Sequence, residues 1–126
     1  MLERRACTRF MVPGCTVSYR VQRSLFRTAL QEEGCPIADL GKGGLSFLTD
    51  KKLAVGTKIF LMITVSPKDS PLEIKGTVVH SGLNRSISYK HVVGVAFDPF
   101  GAGSSNTVEA LNELARIEET FSPARP

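Results

Sequence analysis

Apolar and polar residues alternate in several short runs across the first hundred positions, and helical spacing appears only near the C-terminus. Thr16-Val17-Ser18-Tyr19-Arg20-Val21 places every second side chain on one face, the period of a half-buried strand. Pro13 and Gly14 just before it suit a strand start. Ser24 to Gly34 is polar with scattered apolar residues and predicts a loop or irregular edge, followed by a short strand over Pro36–Asp39. Leu45 and Phe47 alternate with Ser46 and Leu48 in the next strand. Ile59, Leu61, Ile63 and Val65 share one face of a strand over Lys58–Val65. The turn signal Ser66-Pro67-Lys68-Asp69-Ser70-Pro71 then returns the chain as a hairpin over Leu72–His80. Ser81–Ser86 predicts another turn, and Val93, Val95 and Phe97 line a last strand. About six short strands separated by turns predict a sandwich or barrel.

Asp98–Gly103 ends the sheet pattern, and a helix is predicted over 104–121. Asn106 is its expected N-cap, with Glu109 at the capping-box position. Val108, Leu111, Ala115 and Phe121, with Leu114 and Ile117, form an apolar stripe suited to covering an open end of the barrel. Ser122–Pro126 reads as a frayed tail.

Composition narrows the class. The chain has 126 residues, 42% hydrophobic and 22% charged, which suits one globular domain. No apolar run reaches the length of a membrane span, and Met1–Arg5 lacks the apolar stretch of a secretory signal, so a cytoplasmic location without membrane insertion is expected. Cys7, Cys15 and Cys35 are odd in number and widely spaced, which fits reduced thiols rather than disulfides or a zinc site. The net charge of +4 is unevenly placed. Residues 1–27 carry Arg4, Arg5, Arg9, Arg20, Arg23 and Arg27 against Glu3 alone, with no lysine, whereas 104–126 is acidic. A basic segment attracts anions, and arginine adds fork geometry to plain charge.

Two short motifs sharpen this. Arg5-Ala6-Cys7-Thr8-Arg9 carries two guanidiniums, which match phosphate oxygens and the O6/N7 edge of guanine. Asp39-Leu40-Gly41-Lys42-Gly43-Gly44 presents a carboxylate, able to accept from guanine's other edge, in a turn that glycine opens to close backbone approach. Lys42 reads as a solvated turn lysine, His80 as an ordinary strand histidine, and Tyr19, Tyr89 and the phenylalanines as core. No paired carboxylates, Ser–His arrangement or metal cluster stands out, so a non-enzyme is expected.

The order of these elements, with the Gly76–Val79 strand and Val93-Gly94-Val95-Ala96-Phe97, resembles the PilZ domain over about residues 3–121. The resemblance implies a mainly β fold, a six-stranded antiparallel Greek-key barrel with a C-terminal α-helix. It implies one domain over 1–126, with a mobile basic arm at 1–10, a barrel at 11–98 and the helix at 104–121. It further implies binding of the bacterial second messenger cyclic di-GMP, with no other cofactor. Arg5 and Arg9 match the phosphate-gripping arginines, Asp39 the guanine acceptor and Gly44 the glycine that closes the turn. Arg4 matches a position whose arginine goes with two stacked ligand molecules per chain.

Gly41 stands where the family usually has serine. The missing hydroxyl costs on the order of 0.5–1.5 kcal/mol, a few-fold to about tenfold in affinity. The expected function is therefore a cyclic di-GMP receptor that relays binding to an unidentified protein partner. The alternative is a ligand-free adaptor acting by protein contacts alone, which Gly41 motivates. Nucleic-acid binding is disfavoured, because the strands lack interleaved basic and aromatic residues.

Overall fold

The structure, a computed structural model, describes residues 9–24, 27–83 and 89–121. Its strands are β1 (Arg9–Phe10), β2 (Thr16–Ser24), β3 (Arg27–Gly41), β4 (Gly44–Thr49), β5 (Lys58–Thr64), β6 (Leu72–Leu83) and β7 (His91–Phe97), followed by helix α1 (Val108–Phe121). All pairings are antiparallel, in the order β3–β2–β5–β6–β7–β4, and β4 pairs back onto β3. Six strands thus close a barrel, and β1 adds a short extra strand to β3. Closure removes the open edges that a sheet of this size would expose.

The inward positions follow from the alternation. Val17, Tyr19, Leu40, Leu45, Phe47, Leu61, Ile63, Ile74, Val78, Val93 and Val95 are essentially inaccessible to water. Tyr19 and Phe47 tilt against each other with ring centroids 5.1 Å apart. The Tyr19 hydroxyl donates to Glu32 Oε1 at 2.7 Å and lies 3.1 Å from Thr49 Oγ1, and the Thr49 hydroxyl also bonds Glu32. This network joins β2, β3 and β4 inside a barrel that is otherwise apolar. Burial works against the Glu32 charge, but the bonds from Thr49, Tyr19 and the Asp50 N–H outweigh it and hold the carboxyl below its ordinary value.

Sequence expectations are corrected at β3, β6 and α1. The segment expected as a loop over 24–34 and a short strand over 36–39 belongs largely to one strand, β3, which runs from Arg27 to Gly41. Its period-2 pattern is broken by bulges against β2 around Tyr19 and Glu32, and Gly34 takes a φ of 70°. Strand β6 continues to Leu83, beyond the turn expected from Ser81. The helix starts at Val108, not in the expected 104–107 turn, and Thr107 caps it: its Oγ1 accepts the Ala110 N–H at 3.1 Å.

Asn106 has another task. Its side chain accepts from the Lys75 N–H at 2.7 Å and donates to the Lys75 and Asp98 carbonyls, each at 2.9 Å. β7 pairs with β6 only from Gly76 onward, so Asn106 completes the ladder where β7 has ended. The buried helix face is Ala110, Leu114 and Ile117, whereas Val108 and Phe121, expected in the stripe, stay exposed.

Candidate functional site

The β1–β3 ladder sets Arg9 opposite Gly41 and Phe10 opposite Leu40. Phe10 and Leu40 are buried, so they anchor β1 to the barrel and turn Arg9 outward. Asp39 lies two residues from Gly41 along β3, on the face that Arg9 shares. Their side chains meet with Nη1 2.6 Å from Oδ1, at 19% and 28% exposure. This contact is short and partly sheltered, the regime in which a charge-assisted bond outweighs an ordinary surface pair. Arg9 and Phe10, expected within a mobile arm over 1–10, are thus paired as a strand. Arg4 and Arg5 lie outside the described residues.

The glycines of the turn have separate reasons. A Cβ on Gly44 would lie 2.2 Å from the Val95 carbonyl oxygen, so β4 and β7 approach this closely only with glycine there. The same Cβ would lie 3.1 Å from Arg9 Nη2, so the guanidinium rests over a bare backbone. Gly43 accepts the Phe97 N–H at 2.9 Å and ties the turn to the end of β7. Gly41 is buried beside Arg9 in the β1–β3 ladder. Lys42 is not simply solvated: its Nζ lies 3.7 Å from Glu118 Oε1 on α1.

The register extends this rim into a surface. Asp39 is opposite Ser46, Ser46 opposite Gly94, and Gly94 opposite His80. Core neighbours Leu40, Leu45, Val93, Val95 and Val78 point inward, so these four positions form a row across the outer wall. At the usual interstrand spacing the row spans about 14 Å from Asp39 to His80. Its centre is low, because Gly94 has no side chain and Ser46 a small one. A Cβ on Gly94 would lie 3.2 Å from His80 Cβ, and one on Gly82 3.4 Å from His80 Nε2. His80, an ordinary strand histidine by sequence, therefore stands at the far end of this row, beyond the low positions Ser46 and Gly94. Only strand register could have revealed this, since His80 and Asp39 lie in separate motifs.

The arrangement can hold an extended, planar, anionic molecule. Arg9 offers a fork for phosphate or a purine edge, Asp39 an acceptor for ring N–H donors, and the low row at Ser46 and Gly94 little steric obstruction. A separate groove near Phe60, Met62 and the start of α1 lies across the barrel by strand order, and its rim includes the carboxylates Glu73 and Glu109. It lacks a guanidinium–carboxylate pair comparable to Arg9–Asp39. Among the described residues no group of His, Cys, Asp and Glu could hold a metal ion, and no helix is long and apolar enough to cross a membrane.

Cys15 and Cys35 are buried free thiols. Burial pushes the Cys15 thiol up to about 11. Burial first, and the Glu32 charge second, push Cys35 up to about 12.

The sequence pattern described as the PilZ domain matches residues 3–113. Two solved structures share the fold. One is MrkH of K. pneumonia in complex with c-di-GMP, with a TM-score of 0.61 at 13% identity, covering 92% of this chain and 51% of that one. The other is the inhibitor of motility MotI/DgrA of Bacillus subtilis, with a TM-score of 0.56 at 15% identity, covering 94% of this chain and 53% of that one. The chain thus spans about half the length of either protein. No curated protein sequence is significantly similar to it.

Proposed function

The chain belongs to the PilZ domain family, and from that premise we propose that it is a cyclic di-GMP receptor whose ligand is gripped at the β1–β3–β4 rim. One observation carries the reading. Arg9, Asp39 and Gly44, separated in sequence by up to 35 positions (44 minus 9), converge so that the guanidinium contacts the carboxylate and lies over the bare glycine. Arg9 binds a phosphate oxygen or the O6/N7 edge of a guanine. Asp39 accepts from the N–H donors on guanine's other edge, the bare backbone of Gly44 lets the Arg9 guanidinium lie over the turn, and Gly41 keeps the position opposite Arg9 free of a side chain. Arg5 adds a second phosphate contact, and Arg4 stacks on a base when two ligand molecules bind. MrkH, similar in fold, is a protein solved with this ligand, which supports the assignment. The protein has no catalytic task in this reading. It passes the ligand's arrival to a protein partner by remaking the surface around β1.

Calorimetric titration of the chain with cyclic di-GMP, with GTP and cyclic AMP as controls, tests the proposal. Heat with cyclic di-GMP alone, removed by the paired substitution Arg5→Ala and Arg9→Ala, is the expected result. Two ligands per chain supports the role of Arg4, and one per chain removes it.

Gly41 favours a second reading, an adaptor that works by protein contacts without ligand. A silent parent and a Gly41→Ser variant that binds would establish that reading instead.

A further inference from the structure

The β3–β4 turn reaches beyond the rim to the last turn of α1. Lys42 follows Gly41, the residue opposite Arg9, and precedes Gly44, over which the guanidinium lies, by two positions. Its ammonium points the other way, to Glu118, at 3.7 Å, with the two side chains 42% and 21% exposed. That end of the helix calls for a cation. Its last turn carries Glu118 and Glu119 and no basic residue, so carboxylates sit where the macrodipole is already negative. Lys42 supplies, from outside the helix, the charge that the helix's own sequence omits.

We propose that Lys42 is a shared cation: it steadies the last turn of α1 while the rim is empty and transfers to a phosphate of the bound dinucleotide, releasing Glu118. The inference rests on the receptor reading above and adds to it a ligand-contacting residue and a route to the surface. The physical case is a competition. A half-exposed lysine at 3.7 Å from a carboxylate is a weak, screened pair. A phosphate beside Arg9 offers a shorter, charge-assisted contact within the swing of a flexible four-carbon stem. The Gly43–Phe97 bond can hold the turn backbone while the Lys42 side chain changes partner. Because coupling is reciprocal, whatever ligand binding costs the Lys42–Glu118 pair is returned as affinity when Glu118 is neutralised. The responding element is the end of α1 beyond Ile117, a local order–disorder change rather than a movement of the barrel.

The experiment uses the full chain and the variants Glu118→Gln, Glu119→Gln and Lys42→Met. Each is titrated with cyclic di-GMP, and amide hydrogen exchange is followed over residues 114–121 with and without ligand. In the parent, ligand should speed exchange in this segment. Glu118→Gln has no pair for the ligand to break, so its exchange should not respond to ligand, and it should bind about two- to five-fold tighter, the range expected for one surface pair. Lys42→Met should bind more weakly, and its helix should no longer respond. Glu119→Gln removes the same charge from the same turn and should leave affinity at the parent's value.

Binding by the parent with unchanged exchange, or equal tightening by Glu118→Gln and Glu119→Gln, overturns the shared-cation proposal and leaves the receptor standing. No binding by the parent overturns the receptor reading, and the transfer with it.

Discussion

Arg9 and Asp39 illustrate how far a pair of residues can be separated into structural and functional shares. At 19% and 28% exposure their contact contributes on the order of 1 kcal/mol to folding. A charge-assisted bond to a ligand is worth about 1.5–3 kcal/mol, or roughly 10- to 150-fold in affinity. Arg9→Ala should therefore lower the melting temperature by only a few degrees while weakening cyclic di-GMP binding at least about tenfold. Arg9→Lys keeps the charge and loses the fork, so its affinity should fall between the two. Equal affinities for Arg9→Ala and the parent would remove Arg9 from the site. Asp39→Asn presents donors where guanine also presents donors, and should weaken cyclic di-GMP more than it weakens inorganic phosphate. His80 belongs at this scale too. It stands beyond Gly94 on the row from Asp39, so Gly94→Val fills the low position beside it and should weaken binding without emptying the core, since Gly94 faces outward. Thermal melts and titrations on the same preparations separate these effects.

At the scale of elements, the strands with clean alternation were legible and those with interrupted alternation were not. β2, β4, β5 and β7 were read to within a few residues, because one face is fully buried and period 2 survives. β3 was not, because bulges and Gly34 shift the alternation between its halves, and its pairing with β2 is a long-range fact. Arg9, Asp39 and Gly44 were legible as motifs. Their contact was not, since it depends on the β1–β3 register, and neither was the Lys42–Glu118 pair, which joins elements 76 positions apart (118 minus 42).

The helix start misled for a definable reason. Asn is a favoured N-cap, but Asn106 also suits an unpaired strand edge, and here its three backbone bonds prevail. The two roles make different predictions. Thr107→Ala removes the cap and should cost about 1 kcal/mol. Asn106→Ala leaves the Lys75 N–H without its acceptor and the Asp98 carbonyl without the amide donor, while the Lys75 carbonyl keeps the Asp98 N–H; it should cost about 2 kcal/mol. Asn106→Asp keeps the acceptor for Lys75 but faces carbonyls with a carboxylate, so it should not rescue. Urea unfolding of the three variants would show this order, and a Thr107→Ala cost exceeding that of Asn106→Ala would reverse the assignment.

For the molecule as a whole, the half-buried Tyr19–Glu32–Thr49 network and the two buried thiols among the described residues bound its stability in pH. Glu32 has a folded value below its ordinary one, so it binds a proton less readily folded than unfolded. Its contribution is present above the unfolded carboxyl value, about 4.3, and is lost as pH falls through the lower folded value. Cys15 and Cys35 shift the opposite way, to about 11 and about 12. Their contribution is full below the unfolded thiol value, about 8.5, and fades as pH rises through the folded values, because the unfolded thiols ionise first. Stability should therefore form a plateau between these limits, steepening downward on the acid side below about pH 4.3 and on the alkaline side above about pH 8.5. Two variants assign the two edges. Glu32→Gln should flatten the acid edge relative to the parent, at a cost in absolute stability from the disturbed Tyr19 and Thr49 bonds. Cys15→Ala should flatten part of the alkaline edge and leave the acid edge in place, because Cys35 but not Cys15 bonds Glu32; Cys35 and Tyr19, both pushed up by burial, keep the remainder. Urea melts of all three proteins from pH 3 to 11 provide the measurement. An acid edge unchanged in Glu32→Gln would overturn the assignment of the lower limit to the Tyr19–Glu32–Thr49 network.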